Sequence, residues 1–468
     1  MRIWISCLFC ACLLVLSMCG CSSPKGDFVE KSEAELAAME LQNDNAHAKF
    51  VNGNYDEAMQ ILNNIGSERT VSRPLYQMEK LSVLLMDGKF DEAHEQMMAL
   101  HSDFETLFDK KSEEKAQSIW HGEVNKVYKG DSYERATFYA LMAMSFIRKQ
   151  EYEDALRCVK NGLLADADSN SDKAVEDYAL LHYLGYYAAS KLNDNDEAQE
   201  YQRAMYQALA GRGMLRDEDG KPLPGNCFEQ LKMTDANVFL VVWAGMPPTV
   251  VRTGEYEEVR SIISGRNFFD AMSISVGSDF AVMMPNNLGD VNYQATTRGG
   301  RLMDNVLADK ALAKKGMEVT KNVFLILGSG LVLAGTHTLN NLPVGLSLLG
   351  AGLGCYLIGG TAWIVGYYIN PAADARYWRN LPGQFYVVPL KLPAGKHKVA
   401  FSGYWRSDRV SLAMYDIEVD PDRPLNIFHL PMMNAGNNAA NIIARCLQID
   451  YNSATARAAN NRIDKELK

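Results

Sequence analysis

"NGNYDEAMQIL", residues 52–62, returns as "DGKFDEAHEQM" at 87–97, with Tyr55 and Phe90, and Ala58 and Ala93, each offset by 35 residues. "KQEYEDALRCV" at 149–159 keeps Tyr152 and Ala155 without the glycine, and "LNDNDEAQEYQ" at 192–202 keeps Ala198 without the aromatic. Self-similarity at such a period is the mark of stacked helical units. Each residue type has a physical task. The glycine or asparagine ends one helix in a left-handed residue, where a Cβ is costly. The aromatic packs in the angle between two helices, and the alanine lets the second helix approach closely. "ERATFYALMAMSFIRKQEYEDAL", from Glu134, supplies a whole helix–turn–helix pair. The 62 residues between the second and third copies leave room for a degenerate unit.

The pattern Gly-x-aromatic-Asp/Glu-x-Ala resembles the tetratricopeptide repeat, whose period is near 34. That resemblance implies a helical solenoid over residues 46–215 with a concave surface that binds a protein or peptide. The competing expectation is that the helices pack on the rest of the chain.

The first twenty residues read as an export signal. "MRIWISCLFCACLLVLSM" has one charge, Arg2, then an apolar run too short to span a membrane. The sequence turns polar after "CGCSS". The arrangement resembles a bacterial lipoprotein signal. Cys21, preceded by Gly20, is the expected lipidated residue ahead of Cys19, preceded by the bulkier Met18. Residues 21–45 are then a linker. Ser22 follows Cys21, and in the enterobacterial lipoproteins that this signal resembles, serine there favours the outer membrane. The expected location is the cell envelope, lipid-anchored, at the periplasmic face of the outer membrane ahead of the inner one.

Cys158, Cys227, Cys355 and Cys446 are scattered, with no paired spacing that would mark a disulfide framework or a zinc site. The net charge of −10 argues against a nucleic-acid partner. No cofactor or metal is expected and no catalytic residue is singled out: there is no phosphate loop and no Gly-x-Ser-x-Gly elbow. His397 and His429 fall on expected strands, where packing is the ordinary role. The acidic stretches "DADSNSD" and "LNDNDEA" lack the completion of a calcium loop and sit where inter-helix turns belong.

The second half changes character after the loop "RDEDGKPLPGN". "NVFLVVWAG", 237–245, predicts a strand buried on both faces. "TVVRTG", "FAVMM" and "VNYQATT" predict further strands, and "GGRLMDNVLADKALAKKGMEVTK" predicts a helix. "GQFYVVPLKLPAGKHKVAFSGYW" and "SLAMYDIEVDPDRPLNIFHLPM" predict antiparallel strands. The domain plan is an α/β part over 226–321, an interruption over 322–369, an antiparallel β part over 371–435 and a tail over 436–468. The fold class is α+β.

From Asn322 to Ala373 there is no Asp, Glu, Lys or Arg. Two apolar runs around "NNLP" predict a glycine-rich helical hairpin, with Pro343 opening the second helix. Gly350 and Gly354 form a GxxxG pair that would let two such helices touch. The expectation is a membrane-inserted hairpin; the alternative is a helical pair buried in the domain.

Three islands carry a second resemblance. "VYKGDSYER", "WAGMPP" and "DARYWRNLPGQF" are similar to segments of an uncharacterised family of bacterial tetratricopeptide-bearing lipoproteins. The matching positions are Tyr128, Gly130, Tyr133, Glu134, Arg135, Gly245, Asp374, Arg376, Trp378, Leu381 and Pro382. The resemblance implies a lipid-anchored repeat protein and carries over no reaction. Within the last island, Asp374 is expected to pair with Arg376 and Trp378 to anchor the segment on the sheet. The function expected from all this is an envelope scaffold that binds a protein through its helical repeats. An oligomeric membrane or channel component built on the hairpin is the alternative, and a cell-wall enzyme is a distant third.

Overall fold

A computed structural model of the chain describes residues 29, 31–108, 126–167, 177–211, 231–232, 234–265, 271–277, 280–283, 287–297, 302–337, 342–368, 372–405 and 408–432. The signal with Cys21, the 216–226 loop, Cys227, Cys446 and the 436–468 tail lie outside the described residues, as does most of the "DADSNSD" stretch.

The first half is helical. The helices are α1 (Glu33–Val51), α2 (Tyr55–Ile65), α3 (Arg73–Met86), α4 (Phe90–Phe108), α5 (Ser132–Arg148), α6 (Tyr152–Ala167), α7 (Ala179–Lys191) and α8 (Asn195–Gly211). They pack as consecutive pairs. Tyr55, Phe90, Tyr152 and, in the aromatic's place, Asn195 each open the second helix of a pair. Gly53 and Gly88 turn the chain at φ of +73° and +74°; Gln150 and Asn193 do so at +63° and +60°. The third copy therefore dispenses with glycine by forcing Gln150 into the same conformation. Ala58, Ala93 and Ala155 have no exposed surface and Ala198 is buried, as expected of positions where helices meet. The supposed linker is a correction: α1 begins at Glu33. Ser32 and Glu35 form a reciprocal capping box, which starts a helix within the polar stretch.

The second half is two sheets. One has the order β10-β1-β7-β6, from β1 (Val238–Ala244), β6 (Asn287–Asp290), β7 (Gln384–Leu390) and β10 (Asn426–Met432). The other has the order β5-β4-β8-β9, from β4 (Ala271–Val276), β5 (Phe280–Met283), β8 (Gly395–Trp405) and β9 (Asp408–Val419). β2 (Thr249–Thr253) and β3 (Val259–Ile263) form a separate two-stranded ribbon. β1 is buried along its whole length, and its two faces go to different layers. Phe239, Val241 and Trp243 join the helical core, while Val238, Leu240, Val242 and Ala244 join the core between the sheets. Helices, first sheet and second sheet thus stack as three layers.

Two strand expectations need correction. β10 runs parallel to β1, not antiparallel. "VNYQATT" is a short helix, α9 (Val291–Thr297). There the Asp290 carboxylate accepts from the Tyr293 N–H, and Thr296 and Thr297 return their hydroxyls to carbonyls one turn back. This local bonding competes with a ladder, despite the strand-forming composition.

α10 (Leu302–His337) and α11 (Leu342–Tyr368) form the hairpin. α10 starts twenty residues before the uncharged stretch, so the base of the hairpin is a charged helix continuous with the apolar one. The helices touch through Gly328, Gly352 and Gly359: a Cβ on Gly352 would lie 2.7 Å from Val332 and 3.0 Å from the Gly328 carbonyl. Gly350 and Gly354 have nothing within 4 Å, so the expected GxxxG pair is not the hairpin's own contact.

Candidate functional site

Two regions stand out: a buried polar seam that gathers the family-like islands, and the exposed hairpin. The seam forms because residues 374–383, which follow α11, run as an extended strap across the helical half.

Glu134 sits at the third position of α5, where it completes a capping box with Asp131. Its Oε2 accepts from the Asp131 N–H at 2.7 Å and from the Tyr128 hydroxyl at 2.5 Å. Its Oε1 accepts from the Trp378 N–H at 2.6 Å. Gly130, at φ +72°, makes the turn that folds Tyr128 back over the helix start. Glu79 on α3 does the same for the next residues: its two oxygens accept from the N–H groups of Arg379 and Asn380, at 2.7 and 2.9 Å. The helices therefore grip the strap by its main chain, with two fully buried carboxylates.

Side chains complete the grip. Arg376 pairs with Asp374 through Nε and Nη2, as expected, and also donates to the Ser72 hydroxyl and the Lys126 carbonyl while lying over the Tyr128 ring. The Trp378 indole donates to Ser82 on α3, which corrects its expected place: it anchors the strap on the helices, not on the sheet. Arg379 reaches Glu40 and Asp44 on α1, and Asn380 meets His47. Leu381 and Pro382 are buried beyond them. Arg260 of β3 closes the seam from the other side, on Asp131 and on the Asp374 carbonyl.

The "WAGMPP" and "LPGQF" islands meet as well. The Gly383 N–H donates to the Gly245 carbonyl, and Asn292 ties Met246 to Gly265. A Cβ on Gly383 would lie 2.5 Å from the Met246 carbonyl and from Asn292, so only glycine fits there.

Burial decides the electrostatics. It pushes Glu79 up to about 8, against the pull of Arg379 and of the two N–H groups. It raises Glu134 too, with Asp131 adding to the effect. Burial holds His47 below the ordinary histidine range, and His429, which accepts from the Trp243 indole, is driven down to about 3. These groups are buried among hydrogen-bond partners. The arrangement holds one piece of chain against another.

Sequence reading missed Glu79, Ser72, Ser82, Asp131 and Arg260. Glu79 carried a usable signal: a carboxylate in "PLYQMEKLSVLLM", a helix buried on nearly every side, needs a designated partner. Arg260 and the two serines carried none. His397 bonds the Pro393 carbonyl in its own hairpin. Cys158 and Cys355 are free thiols. Among the described residues no group of three His, Cys, Asp or Glu is placed to hold a metal.

The hairpin is the inverse of the seam. Of the 18 residues from Met317 to Ala334, only 6% are buried, and their mean hydropathy is 1.4. Ile326 is 72% exposed, Leu333 62%, Leu353 61% and Leu346 57%. Among the described residues, none covers these side chains. The aromatics towards the end of α11, Trp363, Tyr367 and Tyr368, have side chains outside the described set.

No family model, curated protein or solved structure matches the chain.

Proposed function

We propose that this chain is a cell-envelope lipoprotein held to a bilayer twice, by lipid on Cys21 and by insertion of the α10–α11 hairpin. The observation that carries this reading is the uncovered apolar surface on both hairpin helices, within a stretch free of Asp, Glu, Lys and Arg. In water that surface costs about 25 cal/mol per Å². Contiguous patches of this kind mark membrane or protein contacts. By length α11 suffices: its 27 residues rise about 40 Å against a hydrocarbon core of about 30 Å, while the sixteen residues of α10 from Asn322 rise about 24 Å and stop about one turn short of it. The body would then sit on one side of the bilayer, and no reaction is assigned to it.

The test removes the lipid and asks whether the hairpin suffices. A Cys21→Ser protein exported on a cleavable signal is expected to stay with membranes through carbonate extraction. Recovery as a soluble monomer would overturn the reading.

A second role rests on the repeat register: the helical half as a tetratricopeptide-like scaffold for a protein partner. The strap fills the face formed by α1, α3 and α5, so a partner would bind elsewhere on the array. Crosslinking of envelopes followed by recovery of the chain tests this, and recovery of self-crosslinked copies alone would favour an oligomeric membrane component instead.

A further inference from the structure

The β2–β3 ribbon has two unlike faces. Its register pairs Thr249 with Ile263, Val251 with Ser261 and Thr253 with Val259 on one face. That face carries no charge, and Val259 and Ile263 on it are 46% and 54% exposed. The other face pairs Val250 with Ile262 and Arg252 with Arg260; Val250 is buried and Arg260 ends on Asp131, while Arg252 stays exposed. The ribbon's remaining charges sit at its tip and are used locally: Glu257 on Arg252, Glu255 on Lys315, and Glu258 accepting from the Tyr256 N–H.

Where the ribbon sits matters more. Its tip is fixed to α10: Glu255 bonds Lys315, the Tyr256 hydroxyl donates to Glu318, and Lys314 lies over the Tyr256 ring. Glu318 precedes the first uncharged residue, Asn322, by about one helical turn, roughly 6 Å. The headgroup layer on each side of a bilayer is roughly 5–8 Å thick. A hairpin inserted up to Asn322 therefore puts the ribbon tip at headgroup height.

Resting on the hairpin reading above, we propose that the uncharged face of the β2–β3 ribbon is a second membrane contact, lying in the headgroup layer and setting the depth to which the hairpin enters. The occupant is the lipid of the same bilayer. The argument is continuity: the ribbon is bonded to the helix at the point where that helix stops being charged. β-branched aliphatics with threonine and serine suit this half-wet layer, and one ion pair, one hydrogen bond and one cation–π contact tie the tip to α10.

Depth measurement tests it. Ile263→Cys, Val259→Cys, Ile326→Cys and Glu418→Cys are made singly in a full-length protein whose Cys158, Cys227, Cys355 and Cys446 are replaced by serine. Each is labelled with an environment-sensitive fluorophore and reconstituted in phosphatidylethanolamine–phosphatidylglycerol vesicles. The vesicles carry a nitroxide at the headgroup or at mid-chain. All four positions are exposed or on the hairpin surface, so the label leaves the core alone. Positions 259 and 263 are expected to be quenched several-fold more by the headgroup nitroxide than position 418, and position 326 most by the mid-chain one. If 326 is quenched and 259 and 263 match 418, the ribbon proposal falls and the hairpin reading stands. If 326 is quenched by neither, both fall.

Discussion

The strap and the hairpin are neighbours in the chain, separated by residues 369–373, and they break opposite rules. The strap takes charged and polar groups into the interior; the hairpin leaves apolar groups outside it. Each has a remedy. In the strap the remedy is local and complete: Glu79 and Glu134 are met by N–H groups, and Arg376 by a carboxylate, a hydroxyl and a carbonyl. In the hairpin no remedy comes from the described residues. The contrast teaches where to look for an external partner. A buried charge with all its bonds made describes architecture, whereas an apolar surface with nothing over it describes an environment.

The contrast can be broken most sharply at Arg376. Arg376→Met would leave the buried Asp374 without its guanidinium partner, a change that costs about 3–5 kcal/mol. Urea unfolding in detergent should show the loss, and carbonate extraction should not change. If stability holds, the seam is not the keystone of the body. The converse change is Ile326→Asp, which places a charge on the exposed apolar face. It should weaken insertion by about 2.5–3.5 kcal/mol, seen as release in carbonate, with an unaltered unfolding midpoint of the body. A drop in the midpoint instead would mean that this face packs against protein.

Acid offers a third, smaller test confined to the body. His429 is held neutral by burial, with its folded value near 3 and its unfolded value near 6.5. Because the folded value is depressed, the neutral ring favours the fold above pH 6.5, and the advantage is lost as pH falls towards 3. By linkage the loss between about pH 6.5 and pH 5 is about 1.5 kcal/mol. His429→Gln, which can still accept from the Trp243 indole, should flatten that slope in pH-dependent unfolding; an unchanged slope would assign the acid sensitivity elsewhere. Last, Ala58→Leu and Ala155→Leu overfill sites with no exposed surface and should each cost about 1–3 kcal/mol. Parental melting in both would show the helix pairs to be looser than drawn.

Local rules made much of this legible. The Gly/Asn turn, the opening aromatic and the small alanine each act within one helix pair, so "NGNYDEAM" and its copies locate four helix starts. β1 was readable as doubly buried because seven consecutive apolar residues leave no solvent face. The hairpin was readable from the absence of charge. What could not be read depends on distance along the chain. The parallel pairing of β10 with β1, the seat of Trp378 on Ser82, and Arg260 reaching Asp131 join residues more than a hundred positions apart, and no periodicity records such encounters. The Gly350–Gly354 motif misled for a related reason: small residues mark which helix faces permit close approach, but the choice of Gly352 over its neighbours is set by the angle at which α10 arrives.

The strap has a consequence in time. Trp378 bonds Ser82 across 296 residues of chain, and Asn380 bonds Glu79 across 301. While the chain is being made, the helical half emerges first, with Glu79 still lacking the Arg379 and Asn380 N–H groups and Glu134 lacking that of Trp378. Those donors arrive only after the whole hairpin has passed. The seam therefore closes only once residues 374–383 are made, and it closes on a segment that follows α11 directly in the chain.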